Sequence, residues 1–393
     1  MSETLAPSAV PSHVPKDRVV DFDLYFDPRF SDDVHGAMRA ARDSYPTVCF
    51  TPHNGGHWLV FGGDALHHVM TDTDRFSSRQ LSLQPGASSA PRFIPLGLDP
   101  PEHAPYRHLL LKHLGPREIR GLEPFIRSWA ERLIKPLAGQ SECDFVRDVA
   151  EPMPVSVFME TMGLPLGRFH EFRGLVIGAL SPRTPVDERM GLHGRIVGVL
   201  GELIAARRAE PRDDLVSKLL AEELDGRPLS QDELFSICYL LFLAGMDTVT
   251  NAMAYGMRHL AGDKALQATL RGEPGRIPDT VEEFMRRFTF VNTVRVAVQD
   301  TELDGVQIKE GEALACVLWG GSNDRDDPRQ FGFGHGPHTC LGMHLARTEL
   351  RIMYETWLDE IDAFSLGEPT PGAMHGGSVM GLSSVPLRLG AAA

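Results

Sequence analysis

The chain has 393 residues, 42% of them hydrophobic and 23% charged, and carries a formal net charge of −14. Those proportions exclude a disordered or fibrous protein, and the acidic balance, with no basic run to override it, excludes nucleic acid as the expected partner. Five cysteines at unpaired spacings (Cys49, Cys143, Cys238, Cys316 and Cys340) exclude a disulfide framework and fit a reducing compartment.

Residues 1–21 read as an irregular arm, because Pro7, Pro11 and Pro15 each interrupt regular structure. The arm has no apolar core that would serve as signal peptide or anchor, so a cytoplasmic monomer without membrane attachment is expected. Residues 22–393 are expected to form one unit, mainly α with small β-sheets. From Val48 to Phe61, two apolar runs flank His53-Asn54-Gly55-Gly56, a hairpin signal. The stretch Ser77 to Pro95 is rich in Ser, Gly and Pro and follows neither period, which predicts a long loop of the kind that closes over a site.

Beyond Pro101 the apolar spacing turns helical, at Tyr106, Leu109, Leu110, His113 and Leu114 and again at Phe125, Trp129, Leu133 and Leu137. Further helices are expected over 155–162, 168–180, 190–209, 214–224 and 231–259. The last is the most apolar, but Asp247, Thr248 and Asn251 interrupt it, as suits a core helix and not a membrane span. After Glu282 the sequence VRVAVQDTELDGVQIKEG alternates and turns at Asp304-Gly305, predicting a second small sheet.

The strongest chemical signal is FGFGHGPHTCLGMHLARTEL, Phe331 to Leu350, where a Gly-rich loop presents one cysteine just before an amphipathic helix. Unpaired N–H groups and the positive end of the helix dipole favour a thiolate there, so a lowered thiol pKa is expected for Cys340. Gly334, Gly336 and Gly342 let the backbone approach something flat and bulky, and Pro337 stiffens the loop. A lone cysteine by a helix start is usually structural; the full Phe333-x-x-Gly336-x-x-x-Cys340-x-Gly342 spacing points instead to a ligand.

On these residues the chain resembles the cytochrome P450 family, whose fold is a triangular helical prism around haem b, and the resemblance makes Cys340 the axial thiolate ligand of the iron. Glu283-Phe284-Met285-Arg286 matches the family's Glu-x-x-Arg helix, a structural ion pair. Ala244-Gly245-Met246-Asp247-Thr248 matches the oxygen-binding segment, which implies proton delivery by Asp247 and Thr248. His103 and Arg107 in DPPEHAPYR, with Arg295 and His338, match the cations that hold the haem propionates, while Phe333, Gly342 and Ala244 line the macrocycle.

Within the family the chain looks like soluble bacterial camphor-hydroxylase-type enzymes. Pro91 stands where those place a tyrosine hydroxyl. The positions matching their substrate pocket are Ser82, Pro91, Phe93, Leu96, Leu240, Leu243, Val291, Thr293 and Val379, chiefly apolar. Between Asn323 and the haem loop the chain is shorter than usual, where an arginine normally joins Glu283 and Arg286; Arg325 and Arg329 are the candidate replacements. The resemblance implies a monooxygenase that hydroxylates a small apolar substrate, a monoterpenoid or norisoprenoid, using O2. Electrons would come from a [2Fe-2S] ferredoxin and its NADH-dependent reductase, docking by Arg75, Arg107, Lys112, Arg347 and Arg351. The alternatives are a peroxide-using haem-thiolate enzyme, which has no need of Asp247 and Thr248, and a non-catalytic haem protein.

Overall fold

The structure, a computed structural model, describes residues 7–83, 92–324 and 329–390. Pro91 and Arg325, and the middle of the expected 77–95 loop, lie outside the described residues.

The helices in chain order are α1 (Phe30–Ser44), α2 (Gly63–Thr71), α3 (His103–Leu114), α4 (Pro116–Ile134), α5 (Pro152–Met162), α6 (Phe169–Leu180) and α7 (Val186–Ala209). They continue with α8 (Leu215–Leu220), α9 (Gln231–Gly245), α10 (Thr248–Gly262), α11 (Lys264–Gly272), α12 (Ile277–Arg287), α13 (Leu318–Ser322) and α14 (Met343–Glu360). The first strands are β1 (Val48–Thr51), β2 (His57–Val60), β3 (Phe76–Ser77), β4 (Glu142–Asp144), β5 (Glu223–Leu224), β6 (Arg227–Pro228) and β7 (Asn292–Ala297). After them come β8 (Thr301–Leu303), β9 (Val306–Ile308), β10 (Ala313–Val317), β11 (Phe364–Leu366), β12 (Met374–His375), β13 (Gly381–Leu382) and β14 (Pro386–Leu389).

The main sheet runs β1-β2-β10-β7-β3, with β10 parallel to β2 and the other pairs antiparallel. Its hairpin β1–β2 turns where expected, with Asn54, Gly55 and Gly56 at φ of 52°, 90° and 78°, the left-handed region that Asn and Gly tolerate. The β8–β9 hairpin turns at Asp304-Gly305 for the same reason (φ 51° and 75°). Three apolar clusters fill the interior. The largest joins α1, α4, α10, α12 and α14, the second gathers α5 to α9 with α3, and the third lies between α2 and the main sheet.

Three expectations are revised. Residues 7–21 lack a long helix but are not loose. The Ser8 amide donates to the Pro52 carbonyl at 2.8 Å, the Val20 amide donates to that of Phe50 at 2.9 Å, and Val14 and Val20 are buried. The 214–224 helix ends at Leu220, because Asp225 and Gly226 adopt positive φ (53° and 76°) and turn Glu223–Leu224 into a strand pairing with Arg227–Pro228. The 231–259 helix is two helices that break at Met246-Asp247. The combined stretch 231–262 is long and apolar enough to cross a membrane, yet most of it is buried inside the protein.

The start of α9 is fixed by a capping box. Ser230 Oγ accepts from the Glu233 amide (3.2 Å), and the Glu233 carboxylate accepts from the Ser230 amide (2.7 Å). The same carboxylate takes two bonds from Arg227 (2.7 and 2.8 Å) and one from the Tyr106 hydroxyl on α3 (2.5 Å). Glu233 thus pins α3 against α9, the two helices that carry His103 and Arg107 on one side and Ala244 on the other.

These bonds hold the Glu233 carboxyl well below the usual carboxylate range, Arg227 contributing most and burial opposing. A depressed carboxyl contributes stability that is present above its unfolded pKa, about 4.3, and is lost as pH falls. We expect Glu233→Gln to cost about 1–3 kcal/mol at neutral pH. Thermal unfolding of both proteins should show the gap narrowing when pH is lowered below about 4.

Candidate functional site

Cys340 follows a tight turn at Gly336–His338 and precedes α14, with Gly342 as the helix N-cap. Its amide donates to the Phe333 carbonyl at 2.8 Å, which closes the loop. Gly336 has φ 70°, and a Cβ there would lie 2.5 Å from the Met70 carbonyl oxygen, so only glycine fits. Above Gly342 the space is open: the nearest atom to a Cβ would be the Cys340 Sγ at 3.8 Å. Cys340 is surrounded by protein yet keeps accessible surface, unlike the other four cysteines, which are buried.

The expected lowering of the Cys340 thiol pKa is not what the loop produces by itself. Burial pushes the thiol up, and the Gly342 amide and the charges of Arg107 and Arg347 only oppose that.

Four side chains from three separate segments converge nearby. His103 opens α3, Arg107 lies one turn on, Arg295 sits in β7 and His338 in the loop. His103 and Arg295 are each 2% exposed and His338 is 8% exposed. The rings of His103 and His338 stack at 4.3 Å between centroids. His103 Nε2 and both ring nitrogens of His338 have no hydrogen-bond partner, and the one bond of Arg295 goes to the Val294 carbonyl (2.8 Å). Burial, together with Arg295, His103 and Arg107, pushes His338 down to about 3. Asp99, the nearest acid, is committed to Ser77 Oγ (2.6 Å) and the Ser78 amide (2.7 Å). Two guanidinium groups beside two imidazoles with idle ring nitrogens are costly here unless an anion meets them. The donors fit the two carboxylates of a flat macrocycle lying over Gly342, with its metal at Cys340.

On the opposite wall, α9 ends at Gly245, where a Cβ would come 2.3 Å from the Phe158 ring. Ala244 remains exposed within this otherwise buried helix. The Thr248 hydroxyl donates back to the Ala244 carbonyl at 3.0 Å. The Met246 carbonyl accepts from Arg173 (2.8 Å), whose guanidinium also donates to Asp247 Oδ1 (2.9 Å) and approaches Glu151 (3.4 Å). Asn251 Nδ2 holds the other Asp247 oxygen at 3.2 Å. Arg173 escaped the sequence reading. The available signal was an arginine inside the apolar helix FHEFRGLVIGAL; its partner could not be read from spacing.

Glu283 and Arg286 form the expected bidentate pair (2.7 and 2.8 Å), and Arg286 also donates to the Ser322 carbonyl at 3.1 Å. Arg329 does not join them, because it pairs with Asp64. Support for the loop comes instead from Arg347 on α14, which is bonded to Glu282 (2.5 and 2.9 Å) and lies over the Phe333 ring at 4.7 Å. Sequence reasoning missed that link too.

The cations expected to receive an acidic partner are largely neutralised within the chain. Arg75 pairs with Asp72 (3.0 Å), Lys112 with Glu222 (2.8 Å), Arg347 with Glu282, and Arg351 with Glu123 (2.8 Å) and Glu355 (3.0 Å). Arg107 belongs to the internal cluster.

The pocket positions fall in three places. Phe93 packs against Tyr239 (5.4 Å between rings), Leu243 is buried in the second cluster and Leu240 is buried beside it on α9, with Leu96 partly buried nearby in the chain. Val291 and Val379 form an isolated bridge, and Thr293 pairs with Cys316 across β7–β10. Ser82 sits beside the buried Tyr25 hydroxyl.

Fold and site together describe a helical protein built to hold a dianionic macrocycle with a sulfur-ligated metal. The family model for cytochrome P450 matches residues 191–331. Across 96% of its length and 96% of the relative's, the chain is 33% identical to a probable cytochrome P450 127A1 of Sinorhizobium fredii. Over 76% of its length and 81% of the relative's, it is 36% identical to the erythromycin C-12 hydroxylase of Saccharopolyspora erythraea. The solved structure of CYP101J2 superposes with a TM-score of 0.87 at 33% identity, covering 98% of this chain and 100% of that one. The chain belongs to the cytochrome P450 family and is a haem-thiolate monooxygenase with haem b as its cofactor.

Gly336→Ala forces a side chain into a left-handed backbone and against the Met70 carbonyl. We expect a loss of about 1–3 kcal/mol and a lower haem-to-protein ratio after purification, read from the Soret and aromatic absorbance.

Proposed function

We propose that the protein hydroxylates a compact, neutral, apolar substrate of the monoterpenoid or norisoprenoid class, with O2 and electrons from a [2Fe-2S] ferredoxin. The observation that carries this reading is Cys340, accessible but enclosed, beside two arginines and two histidines with unused polar atoms. Cys340 Sγ ligates the iron, and His103, Arg107, Arg295 and His338 bind the propionates. Bound haem supplies activation of O2 and oxidation of an unactivated C–H bond.

The chain's own residues supply orientation and protons. Phe93, Leu240, Leu243, Val291 and Val379 present apolar surface that orients a hydrocarbon skeleton and excludes water, with Leu96, Thr293 and Ser82 at its margin. The Thr248 hydroxyl stands at the helix break, and Asp247 relays to it a proton taken up from solvent. Because Asp247 Oδ1 is bonded to Arg173, that contact must loosen for the carboxylate to turn inward. The presence of both residues favours the O2-dependent reaction over a peroxide-using one. Asp247→Asn should lower ferredoxin-supported turnover by about 10²-fold while leaving haem content unchanged. An unchanged rate would remove Asp247 from the proton path.

The paired state of Arg75, Lys112, Arg347 and Arg351 leaves shape and apolar contact, more than free charge, to select the ferredoxin. It also makes Arg347→Glu a poor probe of docking, since it would set two carboxylates together behind Phe333.

Substrate class is tested by titrating the ferric protein with camphor, cineole and ionones while following the Soret band. A shift from low to high spin with one of these supports the proposal. A shift with erythromycin-sized macrolides and none with terpenoids overturns the substrate class and aligns the chain with the macrolide hydroxylase it resembles.

A further inference from the structure

Away from the haem site, α1, α10, α11, α12 and α13 enclose a cleft of about 760 Å³, a volume in the range of small-molecule sites. Six cations line it: Arg39, Arg42, Arg258, Lys264, Arg286 and Arg287. Against them stand three carboxylates. Glu283 is paired with Arg286 and Asp263 caps α11 by accepting from the Leu266 amide (2.9 Å), so of the three only Asp33, exposed on α1, stands without a bonded partner.

The cations are far less satisfied. Arg42 pairs with Asp43 (2.7 Å), but Lys264 reaches only the Phe364 carbonyl (2.9 Å) and Arg287 only His259 Nε2 (3.3 Å). Arg39 and Arg258 make no hydrogen bond or ion pair with the described residues, and both are exposed. Six cations against three carboxylates leave the cleft net positive, and Arg39, Arg258, Lys264 and Arg287 each lack a bonded carboxylate, in a chain whose net charge is −14.

The wall is aromatic. Arg42 lies over the Trp319 ring and Arg287 over that of Phe288, each at 5.3 Å from the centroid. Tyr255, 3% exposed, also lines the cleft, and its hydroxyl has no hydrogen-bond partner. A buried idle hydroxyl is a cost that an incoming acceptor removes.

We propose that this cleft binds a small organic phosphate carrying a planar ring, of the nucleoside diphosphate type. Arginine forks pair with phosphate oxygens in two-point fashion, and a planar ring can stack on the guanidinium planes that Arg42 and Arg287 already lay against Trp319 and Phe288. Carboxylate-only ligands would use the charge but not the wall.

The test is calorimetric titration of the haem-loaded protein with ADP, inorganic pyrophosphate and adenosine at low ionic strength. ADP should bind saturably, pyrophosphate more weakly, and adenosine not at all. The double variant Arg39→Glu/Arg258→Glu should weaken ADP by about tenfold or more. The double variant Arg117→Glu/Arg120→Glu changes net charge equally at exposed positions of α4 outside the cleft and should leave ADP binding near the wild-type value. Absorbance of the reduced carbonyl complex checks that all proteins are folded around haem. Absence of saturable ADP binding overturns the proposal. Equal weakening in both double variants, which would mark bulk charge, overturns it too, as does pyrophosphate binding as tightly as ADP.

Discussion

The interior of this protein brings two guanidinium groups and two imidazoles together. His103, Arg107, Arg295 and His338 come from α3, β7 and the cysteine loop, and no carboxylate is hydrogen-bonded to any of them among the described residues. Left alone, the arrangement costs several kcal/mol per buried charge. Much of the fold resists its dispersal: Glu233 fixes α3, β10 and β3 flank β7, and the Glu282–Arg347–Phe333 stack backs the loop. A cofactor that brings two carboxylates and a metal removes the repulsion and the idle donors together. Haem binding and tertiary stability are thus one energetic problem, since a ligand that satisfies these groups stabilises the fold that positions them.

The distal wall follows a related logic with opposite sign. An acid at a helix break inside an apolar cluster is expensive, and Asp247 is tolerated because Arg173 and Asn251 take its oxygens while Arg173 also satisfies the Met246 carbonyl that the break releases. One guanidinium therefore stabilises both the deformed backbone and the charge that the deformation places there. The break is held open sterically by Gly245 against Phe158, so the Ala244 carbonyl is free to receive Thr248. The geometry is set by residues that do not touch the reaction.

Local signals in the sequence were read correctly where the deciding atoms are close in the chain. Asn54-Gly55-Gly56 and Asp304-Gly305 turn as they do because of their own backbone freedom, and the cysteine loop shows in its glycine spacing. The failures share one cause. The break at Met246-Asp247 depends on Arg173 and Phe158, and the short 215–220 helix on a hairpin that competes for its last turn. Likewise Cys340 was read as an anion from its helix position, whereas burial by the surrounding fold outweighs that field. Periodicity and motif spacing carry no information on which distant side chain will be delivered to a given atom.

Net charge is equally blind to placement. The cations near the cysteine loop are matched one by one with Asp72, Glu222, Glu282, Glu123 and Glu355, whereas in the cleft between α1 and α12 Arg39, Arg258 and Arg287 have no bonded carboxylate. Both regions belong to a chain with 53 acidic and 39 basic residues, in which an arginine meets more acids than it needs. Pairing is therefore the ordinary outcome here and an unpaired cluster the exceptional one. Repulsion among its members costs stability at low ionic strength that closer acids would offset, and the fold leaves that cost in place on an aromatic floor.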